Sequence, residues 1–92
     1  MVIEAVVPIV NVLGLHARPA AEFVKTSSRF KANVTVTKDG LEVNGKSIMG
    51  MMMLAAECGS ELLIKIDGDD CEEMMTALKA LIAAGFGEEL AR

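Results

Sequence analysis

Four segments of the sequence carry the residue pattern of β-strands. Val2 to Val7 is apolar and β-branched apart from Glu4, and this strand is expected to end near Pro8. Val6 to Val10 also has the pattern of a strand that runs into a turn. Apolar and polar residues alternate along Glu61 to Asp67, which predicts a strand with one buried face.

The other two strands form a predicted hairpin. The alternating segments Val34 to Lys38 and Leu41 to Asn44 flank Asp39-Gly40, which is a two-residue turn signal. A two-residue loop fixes the register, because it places the residues next to the turn opposite each other. The predicted pairs are Lys38 with Leu41, Thr37 with Glu42 and Val36 with Val43.

Three segments carry apolar residues at helical spacing. The first is Ala17 to Ser28, and the second is the short segment Ile48 to Ala56. The third begins within the acidic segment Asp69 to Glu73, because negative charge suits a helix N-terminus, and it ends at Gly85. Its apolar stripe consists of Met74, Met75, Leu78, Leu81 and Ile82.

The predicted order of elements is β-α-β-β-α-β-α. The connections are too short for a doubly wound parallel sheet, and the alternation along the strands requires one buried face. We therefore predict an α+β fold in which three helices cover one face of a four-stranded, mainly antiparallel sheet. The 92 residues are expected to make a single domain over residues 1–92.

The charge distribution indicates which classes of macromolecule this chain is expected to bind. The net charge is −4, with six Lys and Arg against four Asp and Glu in residues 1–46, and three against nine in residues 47–92. The basic first half is expected to dock on acidic surfaces of partner proteins, which predicts slower association at higher salt. Nucleic acid is not an expected partner, because the chain has no basic run and no Tyr or Trp.

Cysteine content and hydropathy point to an ordinary intracellular chain. Cys58 and Cys71 are distant in sequence from the single histidine, so no metal or cofactor is expected, and both are predicted to be free buried thiols. No apolar segment has the length of a membrane span, and no basic region precedes the first one. A cytoplasmic protein without membrane insertion is therefore expected.

The histidine lies where a turn meets the first helix. Gly14 gives the turn backbone freedom, and His16 is predicted at or next to the helix N-cap. Pro19 occupies the first turn, so the amides of Ala17 and Arg18 are left to bind an anion, and the Arg18 guanidinium suits phosphate oxygens. These positive groups favour a neutral, nucleophilic imidazole, which suits a phosphohistidine site. The alternative is an ordinary surface or core histidine that takes no part in any reaction.

The second helix begins with a serine and a run of methionines. Ser47 is a natural N-cap, and a serine in that position commonly has no other role. Four methionines cannot all face the core on one short helix, so part of this helix is expected to form an exposed apolar surface. They are Met49, Met51, Met52 and Met53.

Two of these segments carry a family resemblance. Residues Gly14 to Ala20 read Gly-Leu-His-Ala-Arg-Pro-Ala and closely resemble the active-site signature of HPr proteins, the histidine-containing phosphocarriers of the bacterial phosphoenolpyruvate-dependent phosphotransferase system. Gly45 to Gly50 resembles the regulatory serine region of that family, and the tail Gly85 to Glu88 is also similar. The resemblance covers essentially the whole chain and implies the open-faced sandwich of this family.

The resemblance also implies a function as a carrier rather than an enzyme. His16 would take a phosphoryl group on Nδ1 from enzyme I and pass it to a IIA component, with Arg18 and the amides of Ala17 and Arg18 binding the group. An HPr kinase/phosphorylase would phosphorylate Ser47, and the added charge would weaken docking on enzyme I. Partners would contact Ile48, Met49 and Met52. A small carrier of this kind is most simply a monomer.

One position departs from the family, and several alternatives stay open. Many members carry Asn or Ser where this chain has Leu13, which puts an auxiliary hydrogen bond to the phosphoryl group in doubt. An enzyme with His16 as general base is disfavoured, because neither a nucleophile nor an orienting carboxylate is recognisable next to it. A regulatory module, in which phosphorylated Ser47 presents the methionines to a transcription factor, is compatible with a carrier. The sequence does not separate a sugar-uptake relay from a nitrogen-type relay.

Overall fold

The structure, a computed structural model, describes residues 1–92 and contains the seven predicted elements in the predicted order. A short 3-10 turn, Gly85–Gly87, follows the last helix. The strands and helices are β1 (Val2–Pro8), α1 (Ala17–Ser27), β2 (Asn33–Lys38), β3 (Leu41–Asn44), α2 (Ile48–Met53), β4 (Glu61–Asp67) and α3 (Cys71–Ala83).

The four strands form one sheet in the order β1-β4-β2-β3, and every neighbouring pair is antiparallel. The hairpin register is as predicted, with Lys38 opposite Leu41 and Val36 opposite Val43. The left-handed backbone at Asp39 (φ 51°) and Gly40 (φ 82°) makes the two-residue turn. The predicted fold class is therefore confirmed.

One face of the sheet is dry. Along β4, Leu62, Ile64 and Ile66 are fully buried, while the residues between them face outwards and are exposed. The buried side chains of the sheet and of the helices form a single apolar cluster that includes Phe23 of α1 and Leu78 of α3. Burying a side chain of this size contributes about 1.5–3 kcal/mol to folding, so this shared cluster fixes the helices on the sheet.

Two element boundaries differ from the prediction. β1 ends at Pro8, as the pattern of Val2 to Val7 predicts, but the strand predicted over Val6 to Val10 was wrong beyond Pro8. α2 ends at Met53 rather than Ala56, because Ala55 adopts a left-handed backbone (φ 48°) that no α-helix can contain. The longer predicted helix was wrong because an alanine carries no sequence signal for such a turn.

The acidic segment before α3 has a second role besides helix-start electrostatics. Asp70 is the N-cap residue, but its carboxylate makes no cap bond. It accepts hydrogen bonds from the backbone amides of Lys31 (2.8 Å) and Ala32 (2.9 Å), just before β2. These bonds, the one from Lys31 first, hold the pKa of the Asp70 carboxyl below its usual range. Asp70 therefore links the start of α3 to the connection between α1 and β2.

The two cysteines differ in environment. Both are free, and Cys71 is buried in the core as predicted. Cys58 is exposed, so its predicted burial was wrong; it lies in the connection after α2, beyond the apolar cluster. None of the helices has the length and apolar character needed to cross a membrane.

Candidate functional site

The loop before α1 is held close to the connection after α2. The amide of Leu15 donates to the carbonyl of Ala56 (2.8 Å), and Gly14 has φ +71°. A Cβ at Gly14 would lie 2.6 Å from the Ala56 oxygen, which is closer than real Cβ atoms come. Only glycine satisfies both the backbone conformation and this approach, so Gly14 fixes the position from which the chain enters α1.

His16 is the N-cap residue of α1, as predicted, with an extended backbone (φ −85°, ψ −168°). Its carbonyl accepts from the amide of Ala20 (3.0 Å), whereas its side chain makes no cap bond. The amides of Ala17 and Arg18 donate to no group of the protein. Two backbone donors at the positive end of the helix dipole are therefore left beside the imidazole, which is 40% exposed.

The imidazole contacts a carboxylate from the far end of the chain. Nε2 of His16 lies 2.8 Å from Oε2 and 3.0 Å from Oε1 of Glu88. Nδ1 makes no hydrogen bond to the protein. The expectation that no orienting carboxylate lies next to His16 was therefore wrong, because the fold brings Glu88 there over a separation of 72 residues.

Three side chains donate to Glu88 or lie at hydrogen-bond distance from it. Asn11 Nδ2 donates to Oε1 (3.0 Å), Arg18 Nε donates to Oε2 (2.9 Å), and the third is His16. Burial of the Glu88 carboxyl raises its pKa, but the hydrogen bonds from Asn11, Arg18 and His16 outweigh this and hold the pKa below its usual range. Glu88 is therefore an ionised acceptor at neutral pH.

Arg18 is directed towards the C-terminal tail. Its Nε donates to Glu88 and its Nη2 donates to the carbonyl of Phe86, while Nη1 makes no hydrogen bond. The prediction described the Arg18 guanidinium as a fork for phosphate oxygens. In this structure two of its three nitrogens bind the tail, and only Nη1 is uncommitted.

Apolar residues form a surface hollow beside His16. Leu13 is 73% exposed and lies at this hollow, together with Leu15 and Cys58. Leu13 offers no polar atom towards the imidazole, in line with the expected departure from the family. Cys58, which lies 42 positions after His16 in the sequence, is thus brought close to it by the loop contact at Ala56.

Ser47 and the exposed methionines are located on α2. Ser47 is the N-cap residue, and its Oγ accepts from the amide of Gly50 (3.0 Å), as predicted for a serine cap. Met51 is fully buried, whereas the other apolar residues of the helix form one exposed patch, which we call the α2 patch. It consists of Ile48, Met49, Met52 and Met53.

Sequence reasoning missed two residues of the site, Asn11 and Glu88. The Gly-Phe-Gly-Glu tail was part of the family resemblance, but nothing in its composition marks the glutamate as a partner of His16. Asn11 carries a weak signal, because a polar residue between apolar Val10 and Val12 often has a structural hydrogen bond. Asn11 is in fact fully buried.

Comparisons with known proteins give the family of this chain. Residues 3–84 match the family model PTS-HPr, described as "PTS HPr component phosphorylation site". The chain is 52% identical over 82 residues to the phosphocarrier protein HPr of Neisseria meningitidis, covering 89% of this chain and 92% of that protein. It is 46% identical over 69 residues to the HPr-like protein Crh of Bacillus subtilis, covering 75% of this chain and 81% of Crh.

Solved structures show the same fold. The crystal structure of HPr-C-His from Thermoanaerobacter tengcongensis matches with a TM-score of 0.91 and 49% identity, covering 96% of this chain and 99% of that chain. An HPr dimer from the same organism matches with a TM-score of 0.76 and 51% identity, covering 82% of this chain and 86% of that chain. By sequence, fold and site, this chain belongs to the PTS-HPr family and is an HPr phosphocarrier of the phosphotransferase system.

Proposed function

We propose that His16 carries the phosphoryl group of this phosphocarrier. Nδ1 takes the group from a phosphohistidine of enzyme I and later delivers it to a IIA component. In the first transfer, the bond from phosphorus to the donor nitrogen breaks as the bond to Nδ1 forms, and the electron pair of the broken bond returns to the donor. The observation that carries the proposal is the position of His16, beside two helix amides that have no partner in the protein.

The surroundings of His16 suit a transferable phosphoryl group. The amides of Ala17 and Arg18 lie at the positive end of the α1 dipole and can donate to phosphoryl oxygens. Arg18 Nη1 is available for one further contact. Partner surfaces complete the transfer site, so the carrier requires no metal or cofactor of its own.

An acid-lability experiment tests this function. The protein is incubated with enzyme I and phosphoenolpyruvate, and its intact mass is measured before and after acid treatment. The parent is expected to gain one phosphoryl group that acid removes, because phosphohistidine is acid-labile and phosphoserine is not. His16→Ala is expected to gain none.

Ser47→Ala serves as the matched variant, because it removes the other candidate phosphorylation site and leaves His16 in place. It is expected to gain the acid-labile group like the parent. A parent that gains nothing, while the same enzyme I phosphorylates an established HPr, would overturn the carrier function. That result would favour a regulatory module centred on Ser47.

Glu88 supplies the carboxylate that an enzyme with His16 as general base would need. A histidine and a carboxylate also require a nucleophile or a bound water to catalyse hydrolysis. No hydroxyl or thiol of the protein makes a hydrogen bond to His16. A carrier therefore fits the site better than a hydrolase.

The regulatory role of Ser47 is a second proposal, supported by its position beside the α2 patch. Phosphorylation by an HPr kinase/phosphorylase would add a charge of about −1.5 to −2 next to exposed apolar residues. Ser47→Asp is expected to slow phosphorylation of His16 by enzyme I. Thr76→Asp, at an exposed threonine within α3, adds the same charge on a different helix and is the control. Equal rates for Ser47→Asp and the parent would contradict the proposal.

The α2 patch is proposed as the partner-binding surface, with Ile48, Met49 and Met52 as contacts. Met49 is 75% exposed and adjoins three other exposed apolar side chains, and a contiguous exposed apolar patch commonly marks a protein–protein contact. Met49→Ala is expected to weaken binding to enzyme I, whereas Leu63→Ala, on the outer face of the sheet, is expected to leave it unchanged. Equal effects would exclude the patch. We further propose that the carrier is cytoplasmic and monomeric. It would serve either a relay for sugar uptake or a relay for nitrogen regulation.

A further inference from the structure

The contact between Glu88 and His16 points to a role for the tail in the chemistry of the carrier. Resting on the function proposed above, we infer that Glu88 is a positioning residue, which keeps the proton of the His16 ring on Nε2 and so makes Nδ1 the nitrogen that takes and releases the phosphoryl group. The same carboxylate then balances the charge of the phosphorylated ring.

Hydrogen-bond chemistry fixes the side of the ring that carries the proton. An ionised carboxylate only accepts hydrogen bonds, and both Glu88 oxygens lie within 3.0 Å of Nε2. Nε2 must therefore carry the hydrogen when the ring is neutral. In this tautomer the unshared electron pair is on Nδ1, which makes no hydrogen bond to the protein and is therefore free to attack phosphorus.

Side-chain contacts hold Glu88 in this place. Asn11, which is fully buried, donates from Nδ2 both to Glu88 Oε1 (3.0 Å) and to the carbonyl of Gly14 (2.8 Å). Arg18 holds the other oxygen through Nε (2.9 Å). One amide thus links the carboxylate to the loop that presents His16, and the guanidinium links it to the first turn of α1.

The backbone of the tail delivers Glu88 to these contacts. Gly85, Phe86 and Gly87 all have positive φ (62°, 56° and 77°), which reverses the chain directly after α3. Phe86 is buried, so the reversal is anchored in the core despite the cost of a left-handed non-glycine residue. Beyond Glu88, the amide of Val12 donates to the carbonyl of Glu89 (2.9 Å), which pairs the tail with the loop.

The carboxylate also has a role during transfer. When Nδ1 forms its bond to phosphorus, the ring keeps the Nε2 hydrogen and becomes positively charged. Glu88 lies against that hydrogen and neutralises the charge without taking the proton. When the phosphoryl group leaves for an acceptor, the bond between phosphorus and Nδ1 breaks, its electron pair stays on Nδ1, and the ring departs as a neutral imidazole. The ring is thus ready for the next cycle.

Nitrogen NMR of the His16 ring tests the inference directly. In protein with 15N-labelled histidine, at a pH where the ring is neutral, the shifts of the two ring nitrogens report which one carries the proton. The parent is expected to show a protonated Nε2 and an unprotonated Nδ1. A parent ring with its proton on Nδ1 would overturn the inference, whatever any variant does.

Glu88→Gln is the variant that removes the charge at nearly constant shape. In either orientation of the introduced amide, its NH2 group would face another donor, either Asn11 Nδ2 or Arg18 Nε. Two donors cannot bond to each other, so the side chain loses one of the hydrogen bonds that position it. The Nδ1-protonated tautomer is expected to become populated, and phosphorylation by enzyme I is expected to slow about tenfold or more, as when carboxylates that orient metal-binding histidines are replaced.

Glu89→Gln is the matched control, because Glu89 is exposed and its side chain makes no hydrogen bond. It is expected to keep the tautomer and the rate of the parent, and amide spectra of both variants report whether the fold is intact. A Glu88→Gln variant with the tautomer and the rate of the control would overturn the inference. The ring measurement needs no phosphoryl donor, so a failure of the carrier function would be seen separately, as a parent that gains no acid-labile group.

Discussion

His16 and Ser47 are the N-cap residues of α1 and α2, and both are candidate phosphorylation sites. They differ in what their side chains contact. Ser47 caps α2 in the ordinary way, since its Oγ accepts from the amide of Gly50, three residues on. His16 caps α1 only with its backbone, and its side chain contacts Glu88, 72 residues away. The Ser47 side chain binds within the first turn of α2, whereas the His16 side chain binds a residue near the opposite end of the chain.

This difference separates a structural cap from a site. At α2 the side chain satisfies a helix amide, so the serine contributes to folding before any modification. At α1 the side chain leaves the first amides without a partner in the protein, and its ring is oriented by a charged group instead. A helix N-terminus becomes a candidate site where the capping side chain is held elsewhere and the amides stay free.

The largest expected effect concerns the loop that presents His16. Gly14→Ala forces a Cβ to within 2.6 Å of the Ala56 oxygen and requires a left-handed alanine, so the free energy of unfolding is expected to fall by about 2 kcal/mol or more. Urea unfolding measures this. Gly40→Ala is the control, because Gly40 has φ +82° and nothing within 4 Å of its added Cβ. Equal losses for the two variants would show that the approach to Ala56 carries no energy.

A smaller effect compares the two caps themselves. Ser47→Ala is expected to lower the free energy of unfolding by about 1 kcal/mol, because the amide of Gly50 loses its acceptor. His16→Ala is expected to cost less, because its side chain makes no cap bond and is 40% exposed. Phosphoryl acceptance from enzyme I should show the reverse order, with loss only in His16→Ala. A His16→Ala variant that is less stable than Ser47→Ala would contradict this comparison.

The dependence of stability on pH gives a still smaller difference. The pKa of Glu88 is lowered in the folded protein, so its carboxylate stabilises the fold above the ordinary glutamate value of about 4.3, and this contribution disappears as the pH falls through the lowered folded pKa. The stability difference between the parent and Glu88→Gln is therefore expected to shrink between pH 7 and pH 3. The difference between the parent and Ser47→Ala should stay constant over the same range, and urea unfolding at both pH values checks both.

The smallest effect concerns long-range charge. The basic residues of the first half are expected to steer association with enzyme I, so the on-rate should fall a few-fold as salt rises. Stopped-flow measurement at several salt concentrations checks this. Glu88 of the acidic half lies at the site and reduces the local positive charge, which keeps the expected effect modest. An on-rate that does not change with salt would contradict electrostatic steering by these residues.

The fold was largely predictable, because its signals are local. β4 runs from Glu61 to Asp67 as predicted, and the hairpin register follows from the two-residue turn at Asp39 and Gly40. The prediction failed at the end of α2, where Ala55 adopts a left-handed backbone. No local preference of alanine leads to that conformation, so the tertiary packing of this connection must impose it.

The site was predictable only in part. The N-cap position of His16 and the free amides of Ala17 and Arg18 follow from the first turn of one helix. The contact of Arg18 with Glu88 could not be predicted. The exposure of Cys58 at the surface hollow beside His16 could not be predicted either. These features depend on which distant segments the fold brings together.

The sequence by itself determined the elements, their order, the register of the hairpin, the dry face of the sheet and the residues at the start of each helix. These follow from side-chain periodicity and from hydrogen bonds that span only a few residues. Only the tertiary structure decided that Glu88 lies against the ring of His16, held by Asn11 and Arg18. That contact requires the reversal of the chain after α3 and the packing of the tail on the loop, and neither is encoded in the residues next to His16.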